Sequence, residues 1–198
     1  MKPNKIINEV YSILEVMQTY GSTVFLGENV TQLQHALQCA DLAEIMTNDH
    51  EIVIAALFHD IGHLLYQAHN KDSLEIDKNY LGDPSHELTG SQFLQSVGFS
   101  ERVCAIVANH VNAKRYLLSN DKKYFDSLSE ASKESLKFQG GVMTEDEVLV
   151  FESNPYYPEI LLVRKLDDKA KESDYNYDSI FNYREILIRH LNRQQRKM

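Results

Sequence analysis

Apolar residues recur along most of the chain at the three- and four-residue spacing of amphipathic helices. The first such segment covers residues 4–20 and is predicted to end at Gly21, because glycine is favoured just past a helix end. The second begins after Thr31, which can form a capping box with Gln34. Its apolar positions from Leu33 to Ile45 are predicted to face the core.

Residues typical of helix starts divide the remainder of the chain into further helices. Asn48 or Asp49 is predicted to cap a single helix that holds residues 55–63. Later helix starts are assigned to capping or first-turn residues, namely Ser85, Ser100, Thr144 with Glu147, Pro158 and Asp178. The helix after Ser85 is predicted to end at Gly98, and the last to end at about Arg193. Because no useful length of sequence alternates apolar and polar residues, the chain is predicted to be all-α, with one domain over residues 1–198.

The segment from 117 to 146 departs from this pattern because it is rich in polar residues. A short helix near 129–138 is predicted there, followed by Gly140 and Gly141. A surface connection and a lid over a site are both compatible with this composition, and the composition alone favours neither.

Charge and composition narrow the functional classes. The 198 residues carry a formal net charge of −9, which argues against nucleic acid and anionic membranes as partners, although not against a small anionic ligand. The acid-containing N-terminal segment is unlike a signal or transit peptide, and no apolar run approaches the roughly 20 residues that span a bilayer. Cys39 and Cys104 lie in apolar contexts without a CxxC pattern, which predicts reduced thiols and a cytoplasmic protein.

The stretch "AALFHDIGH", residues 55–63, carries the candidate chemistry. Asp60 follows an apolar run, and burying an ionised carboxylate costs several kcal/mol unless a cation pairs with it. Other metal-type residues also lie among apolar positions, and the full set is His35, His59, Asp60, His86, His110 and Asp167. A single core histidine is usually a packing residue. Four of them with carboxylates in one small domain predict a divalent transition-metal site.

The number of candidate ligands predicts two ions rather than one. A carboxylate has two oxygens, so Asp60 can bridge two ions. The ligands of one ion would be completed by His35, His59 and Asp167, and those of the other ion by His86 and His110. Two ions a few ångströms apart can polarise a substrate and activate water or dioxygen.

The pattern H…HD…D, formed by His35, His59, Asp60 and Asp167, resembles the HD-domain superfamily of metal-dependent phosphohydrolases. The additional pair His86 and His110 is similar to its dinuclear branch. Within that branch, the chain closely resembles the small mixed-valent diiron oxygenases that cleave carbon–phosphorus bonds. The resemblance covers about residues 26–170 and lies in the stretches "LQHALQCADLAE", "ALFHDIGH", "GFSERVCAIVANHVNAKRYL", "LSEASKESLKFQGGVM" and "RKLDDKAK". It implies a single HD-domain helical bundle with its metal-site core in this range.

This resemblance implies an oxidoreductase of phosphonate catabolism with two iron ions, Fe(II)/Fe(III), bridged by Asp60. A 1-hydroxyphosphonate binds one iron through its hydroxyl group and a phosphonate oxygen, and dioxygen binds the other. Cleavage of the carbon–phosphorus bond then yields phosphate and a carboxylic acid. The six ligands are also the implied catalytic residues, with His35, His59, Asp60 and Asp167 on one iron and Asp60, His86 and His110 on the other.

The resemblance also implies substrate contacts. Four residues are expected to bind the phosphonate, namely His63, Lys114, Ser132 and Gln139. Lys114 lies one helical turn after His110, and His63 lies four residues after His59, so both are predicted to face the site. The matches at Ser132 and Gln139 favour the lid interpretation of the segment 117–146.

Glu28 corresponds to a family glutamate that helps to recognise an amino group on the substrate. In the best-known members a tyrosine precedes that glutamate by three positions, whereas this chain has Phe25. A phenyl ring cannot bind iron, so the gating by that tyrosine is not expected here. Glu28 favours a cationic C2 substituent, as in a 2-amino-1-hydroxyethylphosphonate-like substrate, and Phe25 could offer a ring face.

Two other functional classes compete with the oxygenase. One is a dinuclear phosphohydrolase acting on a phosphate ester or nucleotide, since histidine and carboxylate ligands suit iron, manganese and zinc alike. The other is a non-catalytic HD module, which is disfavoured because every expected ligand is present. Three other histidines are predicted to lie at the surface, namely His50, His69 and His190, and Arg115 is predicted to be a surface or ion-pairing residue.

Overall fold

The computed structural model of the protein describes residues 3–22, 29–70, 83–121 and 123–197. The regular elements in these ranges are helices, which confirms the all-α prediction. They are α1 (Pro3–Tyr20), α2 (Gln32–Met46), α3 (His50–Phe58), α4 (Ile61–His69), α5 (His86–Val97), α6 (Glu101–Asn120), α7 (Tyr124–Ser127), α8 (Glu130–Leu136), α9 (Glu145–Glu152), α10 (Tyr157–Lys169) and α11 (Arg184–Gln195), with a 3₁₀ turn at Ile180–Tyr183 before α11. In the described part of the chain, no helix is both long and apolar enough to cross a bilayer.

Most of the predicted helix starts are confirmed at the level of individual hydrogen bonds. The capping boxes that begin at Thr31 and Thr144 are both reciprocal, and the side chains of Asp49 and Ser100 accept bonds from the first turns of α3 and α6. Gly98 ends α5 with a φ of 104°, a conformation that glycine adopts without strain. These signals act within one helical turn and can therefore be read from the sequence.

The cap predictions at two other positions are wrong. Ser85 stands at the N-cap position of α5, but its side chain makes no capping bond. Asp178 does not begin the terminal helix. Instead, the Ser179 side chain accepts a bond from Phe181 and starts the 3₁₀ turn, after which α11 begins at Arg184.

The prediction of a single helix over residues 55–63 is wrong, because this stretch contains the end of one helix, a turn and the start of the next helix. α3 ends at Phe58, α4 begins at Ile61, and Asp60 has φ −102° and ψ 9°, outside helical geometry. The Asp60 side chain makes no capping bond to α4. The turn therefore frees this carboxylate to point away from the backbone.

The core is formed by apolar faces of α1 to α6, α10 and α11. Its largest fully buried side chains include Ile6, Leu14, Phe58, Leu94, Ile106 and Ile160. Ile45, predicted to face the core, is instead 81% exposed because it lies in the last turn of α2, beyond the packed face. A second, small cluster joins Leu118 of α6 to Leu128 and Leu136, with Tyr124 packed against it. This cluster holds α7 and α8 against the main body.

His190, predicted to be a surface residue, is buried. Its ring stacks on Phe99, and its Nε2 accepts a bond from the Ser100 N–H at 3.1 Å. The polar residues that flank it in sequence lie on other faces of α11, which is why the local composition was misleading. His50 and His69 are exposed, as predicted.

A close contact between α4 and α5 depends on Gly62. A Cβ atom added there would lie 2.0 Å from the carbonyl oxygen and 2.7 Å from the Cα of His86. Because the obstacle is backbone, the two helices would have to separate. Gly62→Ala should therefore destabilise the fold by about 3 kcal/mol and displace His86.

Chemical denaturation and metal content would measure this effect. Gly98→Ala is the matched control, since a Cβ at Gly98 meets no atom within 4 Å and carries only the backbone cost of a positive φ, about 1 kcal/mol. Equal destabilisation by the two variants would contradict the close-contact explanation.

Candidate metal centre

The six predicted ligands come together although they belong to four helices and to the turn between α3 and α4. His35 lies on α2, His59 directly follows α3, and Asp60 occupies the turn before α4. His86 is the first residue of α5, and the remaining two, His110 and Asp167, lie on α6 and α10. All the histidines are buried, and the Asp60 side chain is only 13% exposed.

The Asp60 carboxylate lies between two histidine pairs. In each pair the Nε2 atoms are 3.1 Å apart, between His35 and His59 and between His86 and His110. Oδ2 of Asp60 lies 3.4 Å from Nε2 of His59 and 3.8 Å from that of His35. Oδ1 lies 3.2 Å and 3.3 Å from Nε2 of His86 and His110. One oxygen thus faces each pair.

Asp167 joins the pair formed by His35 and His59. Its Oδ1 lies 3.2 Å from Nε2 of His35 and 3.9 Å from that of His59. Its Oδ2 accepts a bond from Arg164 Nη1 at 2.7 Å. Arg164 also pairs with Asp168, whose other oxygen accepts a bond from the Tyr124 hydroxyl. This network leaves a single Asp167 oxygen facing the histidines.

Backbone carbonyls orient all four imidazole rings. Each Nδ1 lies 2.8–3.1 Å from a carbonyl oxygen, those of Ala170, Ala56, Asp83 and Val107 for His35, His59, His86 and His110 respectively. Since a carbonyl only accepts, each Nδ1 carries a proton, and each ring in its neutral form presents the lone pair of Nε2 to the site. Two nitrogens bound about 2.1 Å from one ion at a right angle are about 3.0 Å apart, so both pairs fit a shared cation.

The electrostatics of the site also favour bound cations. Burial favours neutral imidazole, but the Asp60 and Asp167 carboxylates outweigh it and raise the pKa of His59 to about 9. Burial opposes ionisation of Asp60, yet His59, His110 and His86 hold its pKa well below its usual range. At His110 burial prevails and lowers the pKa to about 4. The carboxylates therefore require nearby positive charge, which metal ions can provide in place of a proton.

Cys39 was not predicted to belong to the site. Its Sγ lies 4.0 Å from Nε2 of His35, and one ligand atom from each of His35, Cys39 and His59 lie within 4.8 Å of one another. Burial and the charges of Asp167 and Asp60 raise the pKa of this thiol well above its usual range. The available signal was its position four residues after His35 on α2.

His63 lies against the other histidine pair. Its ring stacks on His86 with centroids 3.9 Å apart, and its Nδ1 accepts a bond from the Asp83 N–H at 3.1 Å. Burial and the neighbouring His86 lower the pKa of His63 well below its usual range, so the ring is neutral. Its proton then resides on Nε2, which makes that atom a donor.

The predicted phosphonate contacts on α6 and α8 meet at a buried lysine. Lys114 is 3% exposed, and its Nζ donates to Ser135 Oγ at 2.9 Å and to the Ser132 carbonyl at 3.4 Å. Burial, with a contribution from the charge of Arg164, lowers the pKa of Lys114 to about 7. Lys171 donates to the hydroxyl of Ser132 at 3.4 Å. Neither Ser135 nor Lys171 was predicted.

The other predicted contacts differ in what the structure describes. Gln139 has a buried Oε1 atom without a hydrogen-bond partner among the described residues. Glu28 and Phe25 lie outside the described residues. Arg115, predicted to be a surface or ion-pairing residue, pairs with Glu147 at 2.6 Å and donates to the Gly141 carbonyl at 3.0 Å.

Comparisons with known proteins show the family to which the chain belongs. Residues 33–141 match the HD domain family. The chain is 42% identical over 162 residues to a hydroxymethylphosphonate dioxygenase from Gimesia maris, covering 82% of this chain and 78% of the relative. It is 36% identical over 182 residues to the glycine-betaine-forming [1-hydroxy-2-(trimethylamino)ethyl]phosphonate dioxygenase from Leisingera caerulea, covering 92% and 90% respectively. An uncharacterized protein, L432, from Acanthamoeba polyphaga mimivirus is 35% identical over 187 residues, covering 94% of this chain and 84% of the relative.

Proposed function

Because the chain belongs to the HD-domain family, and within it to the group that contains phosphonate dioxygenases, we propose that it is an iron-dependent oxygenase that cleaves the carbon–phosphorus bond of a small 1-hydroxyphosphonate. The observation that carries this proposal is the position of Asp60, with one oxygen toward each of two histidine pairs. Such an arrangement suits two ions that share one carboxylate.

The two ions are proposed to be Fe(II) and Fe(III). One would be held by His35, His59, Asp167 and Asp60, and the other by Asp60, His86 and His110. The second ion would have fewer protein ligands than the first, which would leave it open to substrate or dioxygen. When bound, the pair supplies the Lewis-acid and one-electron chemistry that an oxidation by dioxygen requires.

The chain's own residues are proposed to bind and orient the phosphonate. Lys114 supplies positive charge, and His63 donates a hydrogen bond from Nε2. Ser132 and Gln139 contribute from α8 and the turn after it, so the segment 117–146 serves as a lid that excludes water. The Oε1 atom of Gln139 is buried and has no hydrogen-bond partner among the described residues, which supports the proposal that its partner is supplied when the substrate binds.

The substrate class follows from the unit that two relatives share. Their names contain hydroxymethylphosphonate and a 1-hydroxyethylphosphonate with a trimethylamino group, both of which have a hydroxyl on the carbon that bears phosphorus. The reaction consumes one dioxygen and converts R–CH(OH)–phosphonate to R–COOH and inorganic phosphate. Glu28 would favour a cationic R group such as an aminomethyl.

Phosphate release from the iron-loaded protein would test this function, with phosphorus NMR to identify the products. The panel contains hydroxymethylphosphonate, 2-amino-1-hydroxyethylphosphonate and its trimethylammonium analogue, each with and without dioxygen, alongside phosphate esters and nucleotides. We expect dioxygen-dependent release from one phosphonate. Release from an ester without dioxygen would instead identify a dinuclear phosphohydrolase on the same ligands.

Two broader properties complete the proposal. Residues 1–198 are proposed to form one HD domain, which is supported by a single main core that includes residues of both α1 and α11. A cytoplasmic location is proposed because Cys39 and Cys104 are buried free thiols.

A further inference from the structure

Asp83 contacts two histidines of the site through its own backbone. Its N–H donates to Nδ1 of His63 at 3.1 Å. Its carbonyl oxygen accepts from Nδ1 of His86 at 3.1 Å and from the His86 N–H at 3.2 Å. The Glu87 carboxylate lies 3.6 Å from the same Nδ1, beyond hydrogen-bond distance, so the carbonyl is the acceptor.

These two bonds set opposite tautomers on adjacent rings. His63 accepts at Nδ1 and therefore carries its proton on Nε2, whereas His86 donates from Nδ1 and presents the lone pair of its Nε2. The rings stack with centroids 3.9 Å apart and planes at 18°. The backbone N–H and carbonyl of one residue, Asp83, thus orient a hydrogen-bond donor and a metal-type ligand together.

The Asp83 side chain anchors the backbone at this residue. Its Oδ1 accepts from the Ser85 N–H at 2.9 Å, and its Oδ2 accepts from the Thr89 hydroxyl at 2.7 Å. Through the Thr89 hydroxyl, the carboxylate ties this turn to the first helical turn of α5. The contact at Gly62 then holds the same turn against α4.

We propose that Asp83 is a positioning residue that aligns His86 for the second ion and His63 for the phosphonate as one unit. This inference rests on the proposed function for the identity of the ligands. Asp83 is not itself a metal ligand, but it fixes the position of His86, a ligand of the second ion, relative to His63, a hydrogen-bond donor to the substrate.

Asp83→Ala tests the proposal because it removes both side-chain bonds and leaves the backbone at residue 83 unanchored. We expect the dissociation constant of the second ion to rise about 10- to 100-fold, with iron falling from two ions toward one per chain after desalting. Nitrogen-15 NMR of the imidazoles in metal-free protein should show loss of the fixed tautomers of His63 and His86. Asp83→Asn should restore both readouts, since its amide oxygen can still accept from Ser85 while its amide N–H₂ donates to Thr89.

Asn154→Ala is a matched control. Asn154 also lies three residues before a helix start, its Oδ1 accepts from the Tyr156 N–H at 2.9 Å, and its carbonyl accepts from the Tyr157 N–H at 3.0 Å. It forms the same turn before α10, away from the histidines, and its removal should change neither metal content nor tautomers.

The outcomes separate this inference from the proposed function. Two ions retained in Asp83→Ala with wild-type affinity, and unaltered imidazole signals, would overturn the role of Asp83 even if the enzyme cleaves phosphonates. Absence of dioxygen-dependent phosphonate cleavage by the wild type would overturn the function, while the NMR readout in metal-free protein still tests the positioning. If Asp83→Ala does not fold, Thr89→Val removes only the bond to Oδ2 and should weaken the second ion several-fold, and wild-type affinity there would also overturn the proposal.

Discussion

Replacing Asp60 by alanine should remove both metal ions and abolish dioxygen-dependent phosphate release, by at least about 1,000-fold. Its two oxygens are the only carboxylate oxygens in the described structure that lie between the histidine pairs, at 3.2–3.8 Å from the four Nε2 atoms. Without them, each ion loses a ligand and the compensating negative charge. Elemental analysis after desalting and a phosphate assay would measure the two effects.

Asp60→Asn provides the informative comparison, because the amide keeps the side-chain volume but offers only one oxygen. It should retain at most one ion per chain. A control at exposed Asp126 of α7, Asp126→Ala, should bind two ions like the wild type. Two ions retained in Asp60→Ala would show that the bridging assignment is wrong.

Replacing Lys114 by methionine should leave two ions bound but raise KM for the phosphonate about 10- to 100-fold. Methionine preserves the length and burial of the side chain, while the variant loses an ammonium group whose hydrogen bond to an anion contributes about 1.5–3 kcal/mol. Steady-state kinetics and elemental analysis on the same preparation would separate the loss of substrate binding from the loss of metal.

The pH dependence of KM adds a second readout for Lys114. The pKa of this residue in the substrate-free protein is about 7, so the ammonium form predominates below that pH and is lost as pH rises through it. Above pH 7 the wild type should lose this ammonium group, so its KM should rise toward that of Lys114→Met. The ratio of the two KM values should therefore approach one as the pH rises. Lys137, which directly follows α8, is exposed, so the KM of Lys137→Met should show the same pH dependence as that of the wild type. A KM for Lys114→Met equal to that of the wild type would remove Lys114 from the substrate site.

Different backbone segments orient the two histidine pairs, so the affinities of the two ions can be changed separately. His35 is anchored through Ala170, beside a segment that Gln38 grips at both the N–H and the carbonyl of Glu172, each at 3.0 Å. His86 instead depends on the turn at Asp83. Because separate segments orient the two pairs, one ion can be weakened without the other.

The sequence by itself determined the helical class, most of the helix starts and the set of metal-type residues. The reason is that capping bonds and apolar periodicity act within one or two helical turns, as at Thr31 and Thr144. Histidines and carboxylates in apolar contexts likewise reveal a burial cost that needs compensation, and Asp60 is the clearest case.

Tertiary structure alone decided how those residues meet. The burial of His190 against Phe99 and Ser100 and the contact of Asp83 with His63 depend on segments that are distant in the sequence. Local spacing does not encode such contacts, because the direction in which a side chain points into the core is set by how whole helices pack. The sequence therefore indicated the candidate metal ligands, and the packing of four helices around the turn at Asp60 decided which oxygen of Asp60 faces which histidine pair.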